Sequence, residues 1–197
     1  MKRAAALAAV VAAGEADAHA FDTGADVYSQ VIEGMGVPLQ DPAILLALLP
    51  LGIALGIWRI DGVPRVWPAL VAGLVAGAAA APLAGPSIGF AAILAGLAVA
   101  IMGVAALAWP FWLMAAVSAG VSGLAAMAAL EGHAPGSLPA PIYLGVILGS
   151  LLVTVVPAGL VSFTREEVRQ AWVTIGWRVA ASWIGAITLM LAALRFA

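Results

Sequence analysis

Apolar residues along this chain come in long unbroken blocks rather than in the period-two or 3.6-residue stripes of a soluble domain. The blocks cover about 42–58, 66–81, 87–107, 110–130, 141–163 and 172–194, and most charged residues fall in the gaps between them. A helix that is apolar on every side belongs inside a large core or inside a bilayer. A bilayer crossing needs about 20 such residues. The third and fourth blocks adjoin, and 87–130 is too long for one crossing and right for two. Trp109-Pro110 is the natural break, because proline disfavours helix at the residue before it. The pattern therefore predicts six membrane-spanning helices. Trp58, Trp67, Trp109, Trp112, Trp172 and Trp177 stand at or near the predicted ends, where an interfacial aromatic belt would put them.

The first twenty residues follow a different rule. Met1-Lys2-Arg3 is a positive start, and the apolar run 4–13 is too short to span a membrane. Small residues then stand in A-x-A register twice, at 16–18 and 18–20. This reads as a cleavable secretory signal, with an uncleaved anchor as the alternative. Cleavage after Ala18 would make His19 the new N-terminus, where its α-amine and one ring nitrogen could chelate a metal. Cleavage after Ala20 would discard it.

Composition narrows the class further. Hydrophobic residues make up 64% of the 197, and charged residues 9%, where a soluble domain carries about 25% charge. So little charge leaves large apolar patches uncovered, which excludes a soluble enzyme. A formal net charge of −2 lacks the basic face that nucleic acid requires. The absence of cysteine excludes disulfides and thiolate metal sites. No nucleophile–base pair, phosphate loop or paired haem histidines can be assembled, so the chain does not read as an enzyme. The expected fold is an all-α integral membrane protein, a six-transmembrane-helix bundle after an N-terminal signal peptide. Residues 1–20 are the signal, 21–41 an exported acidic leader and 42–197 the transmembrane domain.

Arginine sets the expected orientation. Arg59 and Arg65 share one loop, Arg165 and Arg169 another, and neither the leader nor 82–86 nor 131–140 carries Lys or Arg. The positive-inside rule makes the arginine loops cytoplasmic. Both mature termini then lie on the exported side of a bacterial inner membrane.

Candidate chemistry gathers on that exported side. Asp22, Asp26, Glu33 and Asp41 lie on the leader, with Glu131 and His133 on the 131–140 loop. Carboxylate and imidazole are plausible ligands for Ni²⁺ or Co²⁺; a solvated acidic face is the plainer alternative. Asp41 directly precedes the first block, so a helix cap is its plainer role. Arg178, inside the last block, is either a functional intramembrane charge or a side chain that snorkels to the interface. Three Gly-x-x-x-Gly pairs, 52/56, 73/77 and 145/149, suit close helix packing or else a glycine-lined path. Ser118, Ser122, Ser150, Thr154, Ser162, Thr174, Ser182 and Thr188 either line a polar path, bond neighbouring helices or bond back to their own helices. Pro50 and Pro157 are expected to kink their spans and free backbone carbonyls.

The chain resembles the HupE/UreJ family, membrane proteins with a signal peptide and six helices that accompany nickel-dependent hydrogenase and urease systems. The family's first helix opens with a His-Pro-(two or three residues)-Asp-His signature. Here the stretch reads Val37-Pro38-Leu39-Gln40-Asp41-Pro42, matching Pro38 and Asp41. Val37 and Pro42 stand where the family carries histidine. Glu131-Gly132-His133-Ala134-Pro135-Gly136 resembles the family's His-Gly-x-Ala-His-Gly element with one histidine kept, and Pro141-Ile142-Tyr143-Leu144-Gly145 resembles its Tyr-x-x-Gly start of the fifth helix with one residue fewer between Tyr143 and Gly145. The resemblance implies a permease for a divalent metal cation, Ni²⁺ or Co²⁺, supplying metalloenzyme maturation. No tightly bound cofactor is implied, and the partners are the lipid bilayer, the metal ion and a membrane or metallochaperone protein. Asp41, His133, Glu131, Glu33 and His19 are the candidate ligands. The alternative is a non-transporting accessory or structural subunit of a membrane complex.

Overall fold

The computed structural model describes residues 21, 26–134 and 136–196. The expected signal peptide, His19 and Asp22 lie outside the described residues. Every described element is a helix: α1 (Val27–Gln40), α2 (Pro42–Trp58), α3 (Gly62–Ala80), α4 (Ile88–Ala105), α5 (Phe111–Ala129), α6 (Ala140–Val168) and α7 (Ala171–Ala193). Short 3₁₀ turns, Ala81–Leu83 and Leu194–Phe196, follow α3 and α7. Six of the seven helices are the six blocks of the sequence. Two run longer than expected: α3 starts four residues early at Gly62, and α6 continues five residues past 163 to Val168.

The seventh helix corrects the sequence reading. The leader, expected as an exported acidic loop before the first span, is helical from Val27 to Gln40. Gly34, Gly36 and Pro38 make it a poor helix by propensity. Two things hold it. Asp26 caps its first turn, accepting from the Ser29 hydroxyl at 2.6 Å and the Ser29 amide at 3.5 Å. Packing supplies the rest: a methyl on Gly34 would strike the Ile142 carbonyl, and methyls on Gly145 and Gly149 would strike the carbonyls of Val31 and Met35. The 145/149 glycine pair thus seats the leader helix on α6. At Asp41 the chain bends by 79° into α2.

Glycine registers fix the helix directions. Gly52 and Gly56 of α2 lie against Thr154 and Ala158 of α6, while Gly73 and Gly77 of α3 lie against Ala119 and Gly123 of α5. Gly96 of α4 lies against Leu46 of α2, and Gly185 of α7 against Ala100 of α4. Within the first three pairings residue numbers rise together, whereas Gly103 nears Ala181 and Gly185 nears Ala100 in the opposite sense. With the end of α2 at Trp58 bonded to Trp109 just before α5, the helices from α2 to α7 alternate in direction. All three glycine pairs are taken up by packing, where small residues let backbones approach and dispersion drives association.

Helix α2 is the hub, touching all six others. Its Ile44, Leu48, Leu51 and Leu55 are fully buried, which is why it is apolar on every face. Five helices are long and apolar enough to cross a membrane, and the bent α1–α2 pair makes a sixth span when counted as one. With 17 residues, α2 alone reaches only about 26 Å, short of a hydrocarbon core of about 30 Å. The alternation gives the molecule two ends. Arg59, Arg65, Arg165 and Arg169 stand at the arginine end; the α1–α2 break and the 131–139 loop stand at the leader end.

Candidate functional site at the leader end

Asp41 occupies the bend. Its Oδ1 accepts from the amides of Ala43 at 2.7 Å and Ile44 at 3.3 Å, two donors that α2 leaves unpaired at its start. Its own amide donates to the Val37 carbonyl of α1 at 3.0 Å, and its carbonyl accepts from Leu45 at 2.9 Å. One residue therefore ends α1 and begins α2. Pro42, at the first helical position, has no amide to satisfy there. The carboxylate also sits at the positive end of the α2 dipole, where the two charges are complementary.

His133 lies across the same apolar cluster. Val37 and Ile44, on either side of Asp41, pack in one group with Leu130 and Leu138, on either side of His133. The imidazole Nδ1 is 3.1 Å from the Glu131 carbonyl, and the Phe21 ring meets it edge-on at 5.3 Å between centroids. With the proton on Nδ1, that contact is a hydrogen bond and Nε2 keeps its lone pair, the arrangement of a metal-binding histidine. The loop is shaped by Gly132 and Gly136, whose φ values of 81° and 78° suit glycine. Tyr143 of α6 ties it down, its hydroxyl accepting from the Gly136 amide at 3.1 Å and donating to the Ala134 carbonyl at 3.3 Å. The Tyr143 role was not legible from the chain pattern, because its partners are turn backbone atoms.

Glu33 is half-buried on α1 and Glu131 half-buried at the start of the loop. Among the described residues, no three of His, Asp and Glu come together as a group able to hold a metal ion. The structure thus places Asp41, Glu33, Glu131 and His133 at one end without gathering them into one coordination shell. His19 falls outside the described residues. What this end offers a cation is individual oxygen and nitrogen ligands around an apolar patch.

Several other ionisable groups are engaged in structure. Arg165 donates to the carbonyls of Gly56 at 2.5 Å and Ile57 at 2.9 Å, the last turn of α2. Arg178 donates to the Val104 carbonyl at 2.7 Å, in the last turn of α4. Each cation satisfies orphan carbonyls at the negative end of a helix dipole. Asp61 pairs with Arg65 at 2.6 Å on the surface, and this hydrogen bond holds its carboxyl below the ordinary range. The Ser29 hydroxyl does the same for Asp26. Ser118, Thr154 and Thr188 bond back to carbonyls four residues earlier, whereas Ser122 crosses from α5 to the Leu70 carbonyl of α3 at 3.0 Å. Ser150 Oγ and Trp109 Nε1 are buried without a hydrogen-bond partner.

No known family model matches this chain, nor does any curated protein or solved structure.

Proposed function

We propose that this chain is a multi-pass membrane protein of HupE/UreJ type that passes a divalent metal cation such as Ni²⁺ or Co²⁺, captured on the exported side. The observation that carries the reading is the broken first span. Transporters place discontinuous helices at their ion sites, because a helix break frees backbone groups and lets a side chain sit at a helix terminus inside the bundle. Here the break holds Asp41, the carboxylate that matches the family signature, and His133 lies across the same cluster of side chains. The signal-like start and the arginine loops support a bacterial inner-membrane location with the leader end outside.

A second reading, a non-transporting accessory subunit, draws on the packed interior. All three glycine pairs are filled by neighbouring backbone, and most buried hydroxyls bond locally.

Uptake of Ni²⁺ and Co²⁺ into liposomes carrying the purified full chain separates the two. A permease loads the vesicles, and Asp41→Asn and His133→Ala each weaken uptake at equal amounts of folded protein. An accessory subunit leaves the vesicles empty and co-purifies with a membrane partner. Uptake unchanged in the double variant would remove this pair from the capture site.

A further inference from the structure

Helix α1 is amphipathic the wrong way round for a water-washed leader. Its outward stripe is Tyr28, Ile32 and Leu39, spaced four and seven residues apart and so on one helical face. Tyr28 is 73% exposed, Ile32 48% and Leu39 47%. The face turned to the protein carries Gln30, Gly34, Val37 and Pro38, all buried. A helix on an aqueous surface would show its charges outward and its large apolar side chains inward. The arc holding Asp26, Glu33 and Gln40 lies to one side of the apolar stripe.

The stripe also continues an existing apolar belt. Gly145 and Gly149 seat α1 on α6, and the residues just before each, Leu144 and Leu148, are exposed beside it, with Leu152 one turn further. Exposed leucines on a helix of 29 residues that is apolar enough to cross a membrane are acyl-chain contacts. Val31 lies against Gly145 and Met35 against Gly149, so α1 runs along α6 in the same direction and the exposed apolar side chains of the two helices are neighbours.

We infer that the Tyr28–Ile32–Leu39 face of α1 is embedded among the acyl chains of the leaflet at the leader end, so that the bilayer is the partner of that face. The inference rests on the bundle crossing a membrane and not on metal transport.

The chain has no cysteine, so single cysteines report without background. In the full chain reconstituted in phosphatidylcholine–phosphatidylglycerol vesicles, nitroxide labels are placed at Tyr28→Cys, Ile32→Cys and Leu39→Cys. Gln40→Cys serves as the water-facing position, and Leu152→Cys and Ile187→Cys as span positions. Collision with oxygen should exceed collision with a water-soluble nickel chelate severalfold at 28, 32 and 39, as at 152 and 187, with the order reversed at 40. Chelate access at 28, 32 and 39 with lipid-like values at 152 and 187 would overturn the inference alone. Labels at 28, 32 and 39 that neither reagent reaches would also overturn it, showing that a second copy or the chain's own first twenty residues cover the face. Chelate access at 152 and 187 would overturn the membrane reading itself, and the inference with it. All six variants substitute exposed side chains, and matching elution of the unlabelled proteins in detergent verifies the fold.

Discussion

The two ends of this molecule handle charge in opposite ways. At the arginine end, Arg165 and Arg178 reach across to the last carbonyls of α2 and α4, Asp61 pairs with Arg65, and Arg59 lies over the Trp58 ring at 5.2 Å. Trp58 adds an indole hydrogen bond of 2.8 Å to the Trp109 carbonyl, and Trp177 one of 2.8 Å to the Thr164 hydroxyl. Charge there closes helices. At the leader end, carboxylates cap the starts of α1 and α2, and His133 faces a loop carbonyl and an aromatic ring. The physical root is the helix dipole: carbonyls at C-termini attract cations, and amides at N-termini attract anions. Because α2 and α4 both end at the arginine end, two arginines are structural there. This leaves the leader end, with its bend and its imidazole, as the place for chemistry.

The sharpest way to test that contrast is to overpack each half. Gly52→Ala drives a methyl onto the Thr154 carbonyl at the hub, whereas Gly145→Ala drives one onto the Val31 carbonyl under α1. Overpacking costs about 1–3 kcal/mol. Thermal unfolding in detergent should show Gly52→Ala destabilising the whole bundle. Gly145→Ala should instead speed amide exchange across 27–40 and leave the global transition nearly in place. Equal global losses would show that α1 folds with the hub as one unit.

Arg165→Ala comes next, since it leaves two carbonyls at the end of a central helix without their cation. A loss of about 1–2 kcal/mol is expected from a charged hydrogen bond with dipole complementarity. Arg165→Lys should recover part of it, and the same midpoint measurement shows both. Asp41→Ala should cost about 1 kcal/mol as a lost cap, while Asp41→Asn keeps most of the stability. If Asn also lowers metal uptake at unchanged stability, cap and ligand roles separate cleanly. Ser122→Ala should cost about 0.6 kcal/mol, the average for a hydrogen bond between membrane helices, and Ser118→Ala less, because its bond stays within one helix.

The smallest effect concerns Asp61. Its carboxyl is held below the ordinary value by the Arg65 hydrogen bond. A lowered folded-state value means that the pair's contribution is complete above the unfolded value of about 3.9 and fades as pH falls through the lower folded value. Unfolding midpoints of wild type and Arg65→Ala should therefore converge on acidification below pH 4, and a constant gap would assign the difference to something other than this pair.

Much of the architecture was legible in the chain. Six apolar blocks became six helices, and the break at Trp109-Pro110 fell between α4, ending at Ala105, and α5, starting at Phe111. The glycine pairs were readable as contact faces, but not with which partners: the 145/149 pair serves the leader helix. Helix α1 itself escaped because its glycines, its proline, Glu33 and the flanking Asp26 and Asp41 mimic an extended leader, and its apolar stripe is only three residues. Arg178 was open between function and snorkelling until the Val104 carbonyl appeared beside its guanidinium.

Burial in a bilayer is a property of consecutive residues, because each crossing segment must satisfy its own backbone hydrogen bonds and present an apolar surface along its length. The sequence by itself therefore determined how many long apolar helices form and which loops hold arginine. Helix-end capping by a distant side chain is a property of positions far apart: Arg165 lies 109 residues from Gly56, and Arg178 74 residues from Val104. A marginal helix likewise exists only where a neighbour supplies a surface that fits it. The tertiary structure alone decided that 27–40 is a helix, that Asp41 joins two helices at a bend, and that the arginines are bound to carbonyls, since each depends on backbone atoms brought together by packing.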